Sequence, residues 1–257
     1  MRHSLIAAVL GTIVFVPAAR VHADMPSPFS PPAPLALFGE PAEEVSAEVA
    51  ASVSSALSAL RDDVRRTSHD DALRMAFTAY YKYHEQHPSR SFKPYLYFVD
   101  YGLDNQTPRG YVFDMQSLTV VDGPFIVAHG RGSSKGKNGV PTRFSNVSGS
   151  ASTSLGLYVA GETYDFTGKS GGVRYSSIGM RMDGVSGRYN SNARARGVVV
   201  HGAPYVTASG AGRSEGCPAM EQFRARRLIP MIANGGLVFL FSPRDMTWMD
   251  QDPWASV

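Results

Sequence analysis

The chain has 257 residues, 43% hydrophobic and 18% charged, which suits one folded domain with extensions and excludes a wholly disordered chain. The formal net charge is only +3 and no Lys/Arg-rich run occurs, so no nucleic-acid partner is expected. There is one cysteine, Cys217, so no internal disulfide can form.

Residues 1–23 have the form of a secretory signal. Arg2 and His3 supply a basic start, residues 5–16 a short apolar run, and Val21, His22 and Ala23 a small-residue end before Asp24. The chain is therefore expected to be exported, to the periplasm or the cell envelope. The apolar run is too short to span a bilayer comfortably, so a membrane contact arises only if this segment stays as an anchor. Removing its two arginines takes the net charge from +3 to +1.

Residues 24–40 are rich in Pro and Ser and read as a linker with polyproline character. Residues 41–90 are expected to form a helical hairpin. Pro41 suits a first helical turn, and Val45, Val49, Val53, Leu57, Leu60 and Val64 recur at helical spacing. A second helix is expected from Ser68 as cap, with Asp70 and Asp71 in its first turn. Leu73, Phe77, Tyr80 and His84 mark its apolar face, and Pro88 its end. The hairpin either docks on the β-rich domain or spaces it from the envelope.

Residues 91–243 change to period two and short apolar runs. Strands are expected over residues 95–101, 110–115, 118–121, 125–128, 155–160, 178–182, 198–200 and 237–241. Gln116-Ser117 and Asp122-Gly123-Pro124 read as turns. One helix is expected over residues 221–232, ended by Asn234-Gly235-Gly236. The fold class is mainly β, a sandwich or barrel. In the tail, residues 244–257, Trp248 and Trp254 are expected to pack on the domain.

The chemistry concentrates in one stretch. The apolar run 198–200 leads into His201-Gly202, and a Gly- and Ser-rich loop continues to Cys217-Pro218. A lone cysteine in an exported chain is an inert buried thiol, an intermolecular link or a reactive group. Its neighbours Ser214, Glu215, Gly216 and Pro218 belong to a loop, not to a core run. The thiolate is the nucleophile, and a nearby imidazole can take the thiol proton and return it to a leaving amine. Gly216 permits close backbone approach, so its N–H and that of Cys217 are candidate oxyanion donors. A helix starting near Cys217 would lower the thiol pKa further. Arg213 is a candidate carboxylate clamp or a salt-bridge partner of Glu215 or another acid. His129 either lines the cleft or bonds a loop, and Tyr205 shapes the acceptor side or packs at its rim. No zinc-ligand spacing and no phosphate-loop pattern occur, so no metal or cofactor is expected.

Several of these segments carry a resemblance. His201-Gly202 with Gly212-Arg213-Ser214-Glu215-Gly216-Cys217-Pro218-Ala219 resembles the signature of the YkuD-type L,D-transpeptidase catalytic domain. It resembles most closely the branch called murein L,D-transpeptidase catalytic-domain-like. Val127-Ala128-His129-Gly130, Phe144-Ser145-Asn146, Ser154-Leu155-Gly156-Leu157-Tyr158, Gly161-Glu162-Thr163-Tyr164 and Asn192-Ala193-Arg194-Ala195-Arg196 extend it. The resemblance implies a β-sandwich-like catalytic fold and peptidoglycan stem peptides as substrate. It implies Cys217 as nucleophile, open to acylation by carbapenems, and His201 as general base and acid. Ser214 and Gly216 then belong to the oxyanion loop, and the Gly202 carbonyl orients the His201 ring. Glu215 stands where the commoner signature has a histidine, which bears on turnover or on substrate charge. The acyl-enzyme could pass to an amine, giving transpeptidation, or to water, giving carboxypeptidase or endopeptidase activity. A catalytically weak peptidoglycan-binding module is the third reading.

Overall fold

The computed structural model describes residues 45–136 and 139–256. The signal and linker segments and Pro41 lie outside these residues. The elements run α1 (Ala47–Leu60), α2 (Ala72–Gln86), β1 (Tyr95–Asp100), β2 (Gly110–Asp114), β3 (Thr119–Phe125) and β4 (His129–Gly130). Then come β5 (Gly156–Ser170), β6 (Val173–Gly184), β7 (Val199–Gly202), β8 (Val206–Thr207), β9 (Gly210–Ala211) and β10 (Arg213–Ser214). β11 (Ala219–Met220), α3 (Gln222–Ile232), β12 (Leu237–Phe241) and α4 (Met246–Gln251) close the chain.

The fold is mainly β, as expected. Eight strands form one sheet in the order β11-β7-β6-β5-β12-β1-β2-β3, with two-stranded ribbons β10-β4 and β8-β9 beside it. β12 is buried along its whole length between β5 and β1, which explains its unbroken Leu-Val-Phe-Leu-Phe run. Side chains of β1 alternate between two surroundings. Asp100 takes hydrogen bonds from Ser68, and Phe98 meets Phe241 beside Trp248. Tyr97 stacks near Phe125, and Tyr101 donates to the Ala128 carbonyl. The hairpin helices and tail thus join one compact unit with the sheet. Trp248 is fully buried, and its indole N–H donates to Asp252 at 2.8 Å.

Four expectations need correction. Ser68 does not cap a helix. Its N–H and hydroxyl both donate to Asp100, a buried carboxylate that needs donors, and α2 begins after Asp71. Ser46 caps α1, accepting from the Val49 N–H at 3.1 Å. Asp122-Gly123-Pro124 is not a turn but the end of β3, and residues 126–128 form no strand. β3 ends the sheet, so Pro124 lacks an N–H where no outer partner needs one. β5 and β6 run well past the expected strands, as a hairpin paired from Tyr158↔Gly184 to Ser170↔Val173.

Candidate active site

β7 carries Val199, Val200 and His201 in from the core and ends at Gly202. β11 lies parallel to it with Ala219 beside His201 and Met220 beside Gly202. Cys217 therefore enters this short strand two residues ahead of the position paired with His201. A small apolar cluster of Ile126, Ala128, Ala203, Val206, Ala211 and Ala219 supports the loops, with Tyr175 and Tyr205 packed on it.

His201 is buried, and its ring stacks on Phe166 at 4.1 Å and 18°. Tyr205 meets it edge-on at 6.5 Å. Nδ1 lies 3.1 Å from the Gly202 carbonyl oxygen. A carbonyl only accepts, so Nδ1 carries the proton and Nε2 keeps its lone pair. Burial drives the imidazole pKa down to about 4, so the ring is neutral over the physiological range.

Cys217 is half-buried. Its sulfur lies 3.8 Å from the Gly197 carbonyl, and among the described residues no hydrogen bond joins it to His201. Burial pushes the thiol up to about 11, which outweighs lowering by the Val199 N–H and by Arg196. The helix does not reverse this: α3 begins at Gln222, beyond β11, so its N-terminus is not at the sulfur. The Cys217 thiol and the His201 imidazole are therefore each neutral near pH 7.

Ser214 brackets the loop that carries Cys217. Its hydroxyl donates to the Cys217 carbonyl at 2.7 Å and accepts from the Gly216 N–H at 3.1 Å. The Gly216 N–H is thus engaged, which removes it as a free oxyanion donor in this state. Gly216 has φ +127°, and a Cβ there would lie 2.9 Å from the Ser152 carbonyl oxygen, so glycine is required. Glu215 points to solvent and pairs with Arg131 at 2.7 Å, not with Arg213. Arg213 reaches the Ser134 carbonyl at 3.5 Å.

His129 bonds its surroundings through both ring nitrogens. It is fully buried on β4, which pairs with β10. Arg109 Nη2 donates to Nδ1 at 3.0 Å, so Nε2 carries the proton and donates to Ser134 Oγ at 2.9 Å. Burial, then Arg109 and Arg213, hold its pKa down at about 3. Arg109 is itself fully buried and also donates to the Val127 and Leu103 carbonyls.

The site also holds residues that sequence reasoning did not assign. Phe166 and Tyr175 come from the extended β5–β6 hairpin, where Tyr164 and Phe166 at period two were the available signal. Arg196 belongs to the Asn192–Arg196 motif of the resemblance, which gave it no role of its own. Among the described residues no group of three His, Cys, Asp or Glu side chains is arranged to hold a metal.

A family model of the L,D-transpeptidase catalytic domain matches residues 65–241. The chain belongs to that family. The match runs from just ahead of α2 to the end of β12 and includes both Cys217 and His201. No curated protein of established function matches. Among solved structures, the chain is similar to an L,D-transpeptidase from Mycobacterium smegmatis at 14% identity and a TM-score of 0.36, over 58% of this chain and 59% of that one. An L,D-transpeptidase from Mycobacterium tuberculosis H37Rv matches at 15% and 0.32, over 58% of each chain. One from Enterococcus faecium matches at 16% and 0.34, over 60% and 51%. The chain thus spans between half and three-fifths of the length of these relatives.

Proposed function

We propose that this protein is an exported peptidoglycan L,D-transpeptidase that works through an acyl-enzyme on Cys217, with His201 as general base and acid. The observation that carries the reading is the Nδ1–H bond from His201 to the Gly202 carbonyl. It supports a tautomer in which Nε2 of the neutral ring holds the lone pair that can accept a proton, on the strand paired with the one just after Cys217.

Because thiol and imidazole both rest neutral, proton transfer accompanies attack. His201 Nε2 takes the thiol proton as the Cys217 sulfur bonds to the stem-peptide carbonyl carbon, and the carbonyl oxygen becomes an oxyanion. With the Gly216 N–H held by Ser214, the Cys217 N–H is the remaining oxyanion donor of the nucleophile pair. The intermediate collapses, the C–N bond breaks, and Nε2 gives its proton to the leaving amine. An acceptor amine then attacks the thioester, its proton passes to Nε2, and the C–S bond breaks as the sulfur regains a proton. The wall of Phe166, Tyr175 and Tyr205 around the ring disfavours water as acceptor and so favours transfer over hydrolysis. Glu215 faces solvent with Arg131, so its carboxylate leaves the cleft free.

Intact mass of folded, reduced protein after incubation with a carbapenem and with a disaccharide tetrapeptide tests this. A covalent adduct is expected, and it should vanish in Cys217→Ala. Cross-linked products support transfer; free truncated stem peptides alone would mean hydrolysis. Absence of any adduct would sink the acyl-enzyme and leave a binding module.

A further inference from the structure

Arg196 sits in the segment leading into β7, and its guanidinium is half-buried. Nη1 donates to the Ser145 carbonyl at 2.8 Å and to Ser154 Oγ at 3.3 Å. Nη2 donates to the Ser152 carbonyl at 2.7 Å and to Ser150 Oγ at 3.2 Å. All four acceptors are neutral, and among the described residues no carboxylate pairs with it. Arg194, two residues earlier, behaves otherwise: it pairs with both Glu162 and Asp183 at the surface.

The Arg196 group lies against the nucleophile loop. The Ser152 carbonyl that accepts from Nη2 is 2.9 Å from the point a Gly216 Cβ would occupy, and Nη2 itself is 3.7 Å from that point. The next residue, Gly197, supplies the carbonyl 3.8 Å from the Cys217 sulfur. The guanidinium thus lies against Gly216, the residue before Cys217, and the residue after Arg196 contacts the Cys217 sulfur. A partly buried positive charge without a counter-ion carries a solvation cost. That cost has a use if a negative charge forms beside it during the reaction.

We propose that Arg196 is the counter-charge for the Cys217 thiolate, a positioning residue that ties the segment from Ser145 to Ser154 to the nucleophile loop and favours ionisation of the sulfur. This rests on Cys217 being the nucleophile. It agrees with the direction of the effects on the thiol, which burial raises and Arg196 lowers. It also explains how a neutral pair reaches the anionic attack geometry with the Gly216 N–H already engaged.

The test is the rate of Cys217 alkylation by iodoacetamide in the folded full-length protein, followed as pH rises. Arg196→Gln should shift the profile upward by about one pH unit, a roughly tenfold lower rate at a given pH. Arg196→Lys keeps the charge and should retain most of the rate. The double variant Ser150→Ala/Ser154→Ala removes two clasps but no charge, and should leave the profile in place. An unmoved profile in Arg196→Gln, with near-UV circular dichroism unchanged, would overturn the proposal. So would an equal shift in the serine double variant, which would make Arg196 merely structural. Should Arg196→Gln not fold, a full-unit shift in Arg196→Lys would count against it equally. Alkylation needs no substrate, so a missing acyl adduct and an unmoved profile are separate failures.

Discussion

Two histidines lie on short strands that end in the glycine after them, and both are buried and neutral. The His129 pocket uses every hydrogen-bonding position of its ring: Arg109 donates in, and Ser134 accepts out. The His201 pocket uses one nitrogen, against Gly202, and meets the rest of the ring with Phe166 and Tyr205. Burial and depressed basicity are common to both, so neither marks the base. What separates them is an uncommitted lone pair, on the strand that pairs with the residues just after Cys217, the nucleophile in our proposal.

The same substitution at both sites gives the largest expected effect. His201→Gln keeps much of the volume but offers no base, and carbapenem acylation should fall by about a thousandfold. His129→Gln keeps an acceptor for Arg109 and a donor for Ser134, so acylation should stay within about threefold while thermal stability drops. Stopped-flow acylation with thermal denaturation reads both. Equal losses in the two variants would break the distinction between them.

The next effect is shared. Both imidazoles are held below the usual histidine range, at about 4 for His201 and about 3 for His129. Unfolded, each titrates near 6.5, so below that pH the unfolded chain binds more protons than the folded one. Their contribution is fully present above about pH 6.5 and is lost as pH falls towards the folded values, on the order of 3 kcal/mol for His201 and about 5 kcal/mol for His129. Asp100 and Asp252 are buried carboxyls with raised pKa and act with the opposite sign. The matched variants isolate the histidine part. Urea unfolding from neutral to acid pH should show a shallower loss in either His→Gln variant, and identical slopes to wild type would refute the assignment. Stability then treats the two histidines alike, and chemistry treats them differently.

That division also decides what could be read from the sequence. β12 matches its expected bounds and β1 falls one residue short, because core strands leave continuous apolar runs. The far half of the β5–β6 hairpin escapes sequence reading because one face is solvated, and its polar residues with Gly171-Gly172 read as loop. The pairing of Asp100 with Ser68 joins residues 32 apart, and no local pattern reports that a buried carboxylate recruits a would-be helix cap. Cys217 and His201 are visible because only one cysteine and few histidines are available. Arg196 is not, since its partners are serine hydroxyls and backbone carbonyls 42 to 51 residues away. Phe166 looks like any strand aromatic until the hairpin folds it onto the imidazole.

The smallest expected effect concerns Glu215, the residue that departs from the commoner signature. Its carboxylate is well exposed and pairs with an exposed Arg131, in water that screens the interaction. Glu215→Gln should leave thermal stability unchanged within error. Its charge is the last of the influences that raise the Cys217 thiol, so removing it should speed alkylation, by less than about threefold. Glu215→His should likewise retain acylation, because the side chain leaves the loop towards solvent while Ser214 holds the loop from within. Loss of acylation in either variant would mean that the exposed pair with Arg131 shapes the Cys217 loop as firmly as the buried serine does. The contrast between committed and uncommitted groups would then have to be redrawn to include the surface.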